Sequence, residues 1–121
     1  MLAVNRTRFR RNDRLTRPEE FQRVFSHPVK IGSRVFTVLA RPNHLDHARL
    51  GLAVAKKNVR KAVARNRIKR IVRESFRAAY EQLGANDIVV IARRGADRES
   101  RDTLRDILDE QWQQLAEKCA Q

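Results

Sequence analysis

The sequence predicts an α+β fold in which helices pack on a single small sheet of about four strands, in the order αβββαβα. Short runs of β-branched and apolar residues alternate with longer segments whose apolar positions recur at the helical period. The chain has 121 residues, of which 41% are hydrophobic, enough for one core. No repeat or low-complexity segment divides it, so we expect a single domain over residues 1–121.

The beginning of the chain is basic and poor in apolar side chains. Residues 1–17 hold six arginines and one acid. Because such a segment buries little apolar surface, we expect residues 1–13 to form a flexible basic arm. An arm of this kind gains order when it binds RNA.

A short helix is predicted between residues 17 and 26. Thr16 and Glu19 have the spacing of a capping box at its start. The helix ends before Pro28, because the residue preceding a proline avoids helical angles. Its apolar side chains recur at the spacing of one helical face: Phe21, Val24 and Phe25.

Four segments predict strands. Residues 35–41 and 49–55 are β-branched and apolar with approximate alternation, and a polar loop joins them, so we expect them to form an antiparallel pair. Residues 29–31 predict a shorter strand. Residues 87–92 form an almost wholly apolar run, which suits a strand covered on at least one face.

The most charged part of the chain is also a predicted helix. Residues 56–77 carry ten basic side chains and one acid, a local charge of about +9. We expect this helix to begin between residues 58 and 62. It should stop at Gly84, a residue that suits the left-handed conformation after a helix.

The two faces of this helix differ in chemistry. One carries an apolar stripe that suits a protein core: Ile68, Ile71, Val72, Phe76, Ala79, Tyr80 and Leu83. The opposite face carries a ridge of polar and basic side chains: Asn66, Arg70, Arg73 and Arg77. Arg65 lies near the apolar side, where we expect it to reach across the sheet. Because the like charges of the ridge repel one another, the expected partner is a polyanion.

The last segment predicts a helix of opposite charge. Asp97 or Ser100 is the expected N-cap. From residue 98 onward, four basic residues face six acids, so the basic surface is local to the middle of the chain. An apolar stripe marks the buried face of this helix: Leu104, Ile107, Leu108, Trp112 and Leu115.

The overall charge favours nucleic acid as the partner. The net charge of +13 and the isoelectric point near 11.4 exceed what solubility requires. A membrane-surface helix is the weaker alternative, because the apolar stripe is needed for the core. RNA is favoured over duplex DNA, since no zinc-finger, homeodomain or heptad-linked basic motif is present.

Little in the sequence suggests catalysis by the chain itself. No nucleophile elbow, phosphate-binding glycine loop or metal-ligand spacing is present, and we expect His44 and His47 to be solvated loop residues. The lone Cys119 has no partner for an internal disulfide. The first residues lack the apolar core of a signal peptide, so the cytosol is the expected compartment.

The order of residues around the basic helix is more specific than its charge. The segment 51–57 (GLAVAKK) precedes Arg65-Asn66-Arg67-Ile68-Lys69-Arg70, which Arg73-Glu74 and Arg77 follow. This order closely resembles the signature of the bacterial ribonuclease P protein component. The resemblance covers most of the chain and extends to further features: Arg14-Leu15, Phe21, Phe25, Phe36, the IVVIAR strand and the final helix.

The resemblance implies a small protein that binds a large catalytic RNA and, with it, removes the 5′ leader from precursor tRNA. In that family the RNA performs the hydrolysis with magnesium, so no residue of this chain is expected to be catalytic. The implied partners are ribonuclease P RNA and the precursor-tRNA leader, with no membrane and no obligate protein partner. The family also implies a left-handed crossover from the third strand through the basic helix to the fourth.

Two groups of site residues are carried over by this resemblance. The expected RNA-binding surface comprises Lys56, Lys57, Arg60, Lys61, Arg65, Asn66, Arg67, Lys69, Arg70, Arg73 and Arg77. The expected leader cleft, between the sheet and the first helix, comprises Arg14, Arg17, Phe21, Phe25 and Phe36. Leu39 departs from the pattern, because some members carry an aromatic there.

The role of the three phenylalanines and the class of RNA-binding protein stay open at this stage. For each of the three phenylalanines taken singly, filling the core is at least as good an explanation as stacking on a base. A ribosome-associated RNA-binding protein would share the charge without needing a leader-sized groove. A free-standing nuclease is disfavoured, because the sequence shows no acid, base and metal constellation.

Overall fold

The computed structural model describes residues 13–119, which form a four-stranded mixed sheet and three helices. The predicted α+β class and the order αβββαβα are confirmed. The predicted basic arm lies outside the described residues except for its last residue, Asp13, which is buried. The elements are α1 (Pro18–Phe25), β1 (Val29–Gly32), β2 (Phe36–Pro42), β3 (Arg49–Ala53), α2 (Ala62–Leu83), β4 (Asn86–Ala92), a 3-10 turn (Ala96–Arg98) and α3 (Arg101–Cys119).

The strands lie in the order β1-β2-β4-β3, so the predicted antiparallel pair of β2 and β3 is wrong. β4 lies between them, antiparallel to β2 and parallel to β3. It is the most apolar strand and is buried at all positions but Ile91, so the centre of the sheet suits it best. The parallel pair needs a long connection, which α2 supplies. The left hand of this crossover stays a prediction.

Helices α2 and α3 pack together on one face of the sheet. The predicted apolar stripes of both helices lie in this core, where Phe76 meets Trp112 edge to face at 6.4 Å between ring centroids. The indole N–H of Trp112 donates a 2.8 Å hydrogen bond to the hydroxyl of Ser75, so this buried polar pair is satisfied. No helix within residues 13–119 is long and apolar enough to cross a membrane.

Local capping explains where the helices begin and end. The Glu20 carboxylate caps α1 by accepting the backbone N–H groups of Thr16 and Arg17 at 2.9 Å each, so Glu20 replaces the predicted Glu19. Gly84 ends α2 with φ +63° and ψ −158°, a region that glycine alone adopts readily, and not with the predicted left-handed angles. Ser100 is the N-cap of α3, since its hydroxyl accepts the backbone N–H of Thr103 at 3.1 Å.

Candidate nucleic-acid interface

Helix α1 covers only part of the second face of the sheet. The strand register places three rows of residues on that face: Arg41, Asp87 and Arg49, then Leu39, Val89 and Gly51, then Thr37, Ile91 and Ala53. Val24 and Phe21 of α1 pack with Leu39 and Val89 of the second row. The third row remains half-exposed. We call the strip between α1 and this third row the cleft.

The three predicted cleft phenylalanines separate into two environments. Phe21 is half-buried on the cleft face, and Phe25 is 49% exposed one helical turn later. Phe36 is fully buried on the opposite face, in the core with α2 and α3. The placement of Phe36 in the cleft is therefore corrected, because β2 alternates its side chains and Phe36 points away from α1. Leu39, which stands in place of an aromatic, is buried beneath α1.

Phe21 lies directly on the backbone of β3 at Gly51. A Cβ atom added to Gly51 would lie 2.6 Å from Cε1 and 2.7 Å from Cζ of the Phe21 ring. Real Cβ atoms essentially never come this close to another atom, so a larger residue at position 51 would force the Phe21 ring to move. Gly51, the first residue of the segment GLAVAKK, therefore allows the Phe21 ring of α1 to pack directly against the backbone of β3.

We expect Gly51→Ala to displace the Phe21 ring and to lower the free energy of unfolding by about 1–3 kcal/mol, the usual cost of overpacking. Urea denaturation followed by circular dichroism measures this loss. Gly32→Ala is the matched control, because no atom lies within 4 Å of the Cβ that it adds to β1. Equal stability of the two variants would contradict the close contact between Phe21 and Gly51.

The basic ridge of α2 lines an open groove. Asn66 and Arg70 are exposed, whereas Arg73 and Arg77 are half-buried. Together with Arg14 they surround a volume of about 360 Å³. A neighbouring groove of about 240 Å³ continues toward α1, and it shares Arg14 and Arg73 with the first. The second groove is lined by Arg14, Leu15, Thr16, Phe21, Leu50, Leu52, Lys69 and Arg73.

Arg73 occupies the point where these two grooves meet. Burial lowers the pKa of its guanidinium, and the positive charges of Arg14 and Arg77 lower that pKa further. The Nε atom of Arg73 is buried and has no hydrogen-bond partner within residues 13–119. Both observations describe a cation that an incoming anion would stabilise.

A second basic pocket lies at the other end of the ridge. It encloses about 740 Å³ and brings the loop before α2 together with the turn after β4. Arg94 and Arg98 belong to this turn, and no local pattern links them to the loop, because they lie more than thirty residues from it in the chain. They come near because β3 and β4 are parallel neighbours, so the segments that follow these strands leave the sheet at the same end. The basic side chains of the pocket are Lys57, Arg60, Lys61, Arg94 and Arg98, opposite the acid Asp97.

Several of the predicted RNA-binding residues also hold the fold together. Arg65 does not reach across the sheet; its guanidinium donates to the backbone carbonyls of Val59 at 3.1 Å and Arg60 at 2.7 Å, which braces the loop before α2. Arg67 donates to the carbonyl of Glu99 at 3.1 Å. Lys56 is exposed and Lys69 is half-buried beside the second groove.

An ionic network around the buried Asp87 joins α1 to the sheet, and no local pattern in the sequence indicates it. Arg49 donates twice to Asp87, with both distances 2.8 Å, and once to Glu20 at 3.0 Å. Arg23 of α1 also donates to Asp87, at 3.2 Å. Arg41 donates to the backbone carbonyls of Arg23 and Ser26 at 2.9 and 2.8 Å, at the end of α1.

The charges of this network are mutually stabilising. The backbone N–H of Arg17 lowers the pKa of the Glu20 carboxyl, and the N–H of Thr16 and the charge of Arg49 lower it further, against the opposing effect of burial. The hydrogen bonds that Arg49 donates to Asp87 raise the pKa of the Arg49 guanidinium. At pH values above the pKa that Glu20 has in the unfolded chain, the charged Glu20 therefore stabilises α1. This stabilisation is lost as the pH falls through the lowered pKa of Glu20 in the folded protein.

His47 differs from the solvated loop residue that was predicted. Its side chain is only 20% exposed and lies between Asp46, at 2.8 Å, and Asp13, at 3.7 Å. Tyr80 of α2 donates to Asp13 at 3.0 Å, so the polar tip of this core residue ties the N-terminal segment to α2. Within residues 13–119 no three His, Cys, Asp or Glu side chains are grouped as a metal site requires.

Comparison with known families and relatives adds a separate line of evidence. Residues 9–116 match the family model described as Ribonuclease P. The ribonuclease P protein component of Photobacterium profundum is 48% identical over 113 residues, which cover 93% of this chain and 96% of that protein. The component of Vibrio cholerae is also 48% identical, over 89% of this chain and 92% of its own length.

Solved structures agree with this match. The RNase P protein of Staphylococcus aureus has a TM-score of 0.78 and 34% identity, covering 84% of this chain and 93% of that one. The Thermotoga maritima RNase P protein, solved in complex with 1-(4-fluorophenyl)-2-thiourea, has a TM-score of 0.73 and 35% identity. It covers 81% of this chain and 96% of its own.

Proposed function

The chain belongs to the ribonuclease P protein family, and from this premise we propose that α2 binds the catalytic RNA while the cleft beside α1 holds the precursor-tRNA leader. Family membership makes it the protein subunit of the endoribonuclease that processes the 5′ ends of precursor tRNA. Association with ribonuclease P RNA follows from that membership. The surfaces and residues that make each contact are the proposal.

The observation that carries the proposal is the junction of the two grooves at Arg14 and Arg73. One groove follows the guanidinium ridge of α2, and the other leads to Phe21 at the cleft. The groove along the ridge presents cations, and the adjoining groove presents the aromatic ring of Phe21. Such a surface suits an enzyme that must hold its own RNA and a substrate strand side by side.

The ridge acts through charge. Each lysine or arginine that contacts a phosphate releases condensed counterions, and log affinity falls by about 0.7 per contact for each log unit of salt when the RNA is single-stranded. Arg70 and Arg73 face a groove that is rich in cations. The second basic pocket, with Arg94 and Arg98, extends the same surface past the start of α2. We therefore assign Arg94 and Arg98 to the RNA-binding surface.

The cleft acts through stacking and shape. Phe25 presents an exposed ring, Phe21 presents a half-exposed one, and base stacking on an aromatic side chain contributes about 1–3 kcal/mol. Arg17 at the start of α1 is exposed and adds a cation near the leader path. Stacking on an aromatic ring depends little on which base is stacked, so it suits leaders of differing sequence.

The hydrolysis itself is assigned to the RNA and its magnesium ions. The protein contributes by neutralising phosphates that would otherwise repel one another as the RNA folds around its substrate. Binding free energy from the leader is then added to that from the tRNA body. We therefore expect the protein to lower the magnesium concentration that cleavage requires.

We expect the protein to stimulate cleavage of precursor tRNA by ribonuclease P RNA at low magnesium, and the variant Phe21→Ala/Phe25→Ala, which loses two stacking rings, to lose at least about thirtyfold in affinity for the precursor. Affinity for mature tRNA should stay unchanged, because mature tRNA lacks the leader. Kinetics of 5′ processing, with precursor and mature tRNA titrated separately, measure both effects.

The control variant is Leu45→Ala, which removes an exposed apolar side chain from the loop between β2 and β3. It should match the wild type. Failure of the wild-type protein to stimulate cleavage would overturn the proposal. Tight RNA binding without preference for the leader would instead support a general RNA-binding protein, and cleavage without the RNA would support a free-standing nuclease.

A further inference from the structure

We propose that the ionic network beneath α1 positions this helix and thereby determines how tightly the cleft binds the leader, although its central acid cannot touch RNA. The inference rests on the proposed function of the cleft. We call the network the latch, and its side chains are Glu20, Arg23, Arg41, Arg49 and Asp87.

Helix α1 depends on this support because its own stability is small. It has eight residues, and isolated helices shorter than about 12–15 residues are marginal in water. Val24 is its single fully buried side chain, while Phe21 is half-buried and Phe25 is 49% exposed. Apolar packing therefore holds α1 near its middle and leaves both of its ends to polar contacts.

The latch supplies those polar contacts along the whole helix. Arg49 links the first turn to β4, because its guanidinium lies between Glu20 and Asp87. Arg23 contacts both Asp87, at 3.2 Å, and the carbonyl of Pro42, at 2.7 Å. Arg41 binds the carbonyls at the last turn, where Phe25 is presented. A rigid-body shift of α1 would break bonds at three places at once.

Asp87 lies at the centre of the latch and is fully buried. Its oxygen atoms accept hydrogen bonds from Arg23, Arg49 and Asn43, the last at 2.9 Å. A buried charge held by this many donors is screened little by salt, so the position of α1 is maintained at physiological ionic strength. The latch therefore acts on the leader only through α1, which makes its members positioning residues.

For Asp87→Asn, the change in surface charge and the change in the position of α1 predict opposite effects on binding of the leader. Removing an acid makes the surface more positive, which should tighten RNA binding if charge alone matters. Loosening α1 should instead weaken binding of the leader, because the Phe21 and Phe25 rings lose their fixed positions. The sign of the change therefore distinguishes the two effects.

For the holoenzyme reconstituted with Asp87→Asn, we expect KM for a precursor tRNA with a long leader to rise about tenfold, the equivalent of losing one stacked base. The kcat should stay unchanged. KM for a precursor with a single-nucleotide leader, too short to cross the cleft, should also stay unchanged. A loss of folded protein would lower the fraction of active enzyme. The apparent kcat would then fall equally for both substrates, and KM would not change.

Two further variants complete the experiment. Arg41→Lys keeps the charge, but its side chain ends one bond short of the Nη1 atom that donates to both carbonyls. It should therefore reproduce the leader-specific loss, and it carries the test if Asp87→Asn does not fold. Glu110→Gln removes an exposed acid on α3 and should match the wild type. Circular dichroism verifies that each variant is folded.

The outcomes separate the latch from the proposed function. A wild-type holoenzyme with equal KM for long and single-nucleotide leaders would overturn the leader cleft itself. A wild type that prefers long leaders, with folded variants of Asp87 and Arg41 that keep the full preference or exceed it, would overturn the latch alone. Equal losses on both substrates would also overturn it.

Discussion

The double variant Arg70→Ala/Arg73→Ala is expected to bind ribonuclease P RNA roughly a hundredfold more weakly than the wild type, since each charged hydrogen bond contributes about 1.5 kcal/mol at least. Because two phosphate contacts are lost, the slope of log affinity against log salt should fall by about 1.4. Filter binding over a range of salt concentrations measures both quantities. The loss should exceed that caused by Phe21→Ala, which affects the leader and not assembly.

The fold should survive this double change. Arg73 already experiences the repulsion of Arg14 and Arg77, so its removal relieves like-charge contacts within the groove. The matched control is Arg34→Ala/Arg101→Ala, which removes the same charge from two arginines that pair with Glu99 and Glu74. Comparable losses from the control or from Phe21→Ala would contradict the division between an assembly surface and a leader surface.

Replacement of Trp112 by alanine is expected to have the largest effect on stability, about 3–5 kcal/mol in the free energy of unfolding. The side chain is 1% exposed, contacts Phe76 edge to face and donates to Ser75, so the change creates a cavity and leaves a buried hydroxyl without its donor. A domain of this size has about 5–15 kcal/mol of stability in total. Urea denaturation followed by circular dichroism is the measurement. Tryptophan fluorescence cannot report on this variant, because Trp112 is the one tryptophan of the chain.

The neighbouring residue on α3 provides the comparison. Gln113 is exposed, so Gln113→Ala should change the free energy of unfolding by less than about 0.5 kcal/mol. Trp112→Phe should fall between the two, because it keeps most of the apolar contact and loses the hydrogen bond to Ser75. A loss below about 1 kcal/mol for Trp112→Ala would show that α3 contributes little to the core.

Sequence patterns predicted the elements well because each depends on local chemistry. The β-branched runs, the apolar stripes of α2 and α3, and the stop at Gly84 all involve residues close together in the chain. Strand pairing was predicted wrongly, because the position of β4 between β2 and β3 depends on which strand gains most from being covered on both faces. No local pattern reports that competition.

In the candidate site, too, the features that depend on local spacing were predicted and those that depend on tertiary packing were not. The ridge of Asn66, Arg70, Arg73 and Arg77 follows from helical spacing, and the structure places these residues around one groove. Phe36 was assigned to the cleft from its likeness to family members, yet the register of β2 directs it into the core. Arg94 and Arg98 were not found, because their proximity to the loop before α2 exists only after folding.

By itself the sequence determined the α+β class, the basic helix and its two faces, and the likeness to the ribonuclease P protein family. These properties depend on residue spacing and composition, which are the same in the unfolded chain. Only the tertiary structure decided that Arg14 and Arg73 join the ridge to the cleft, and that Asp87 holds α1 through Arg23 and Arg49. Those contacts join residues up to 64 positions apart. They depend on packing, which brings buried charges together where no local rule would place them.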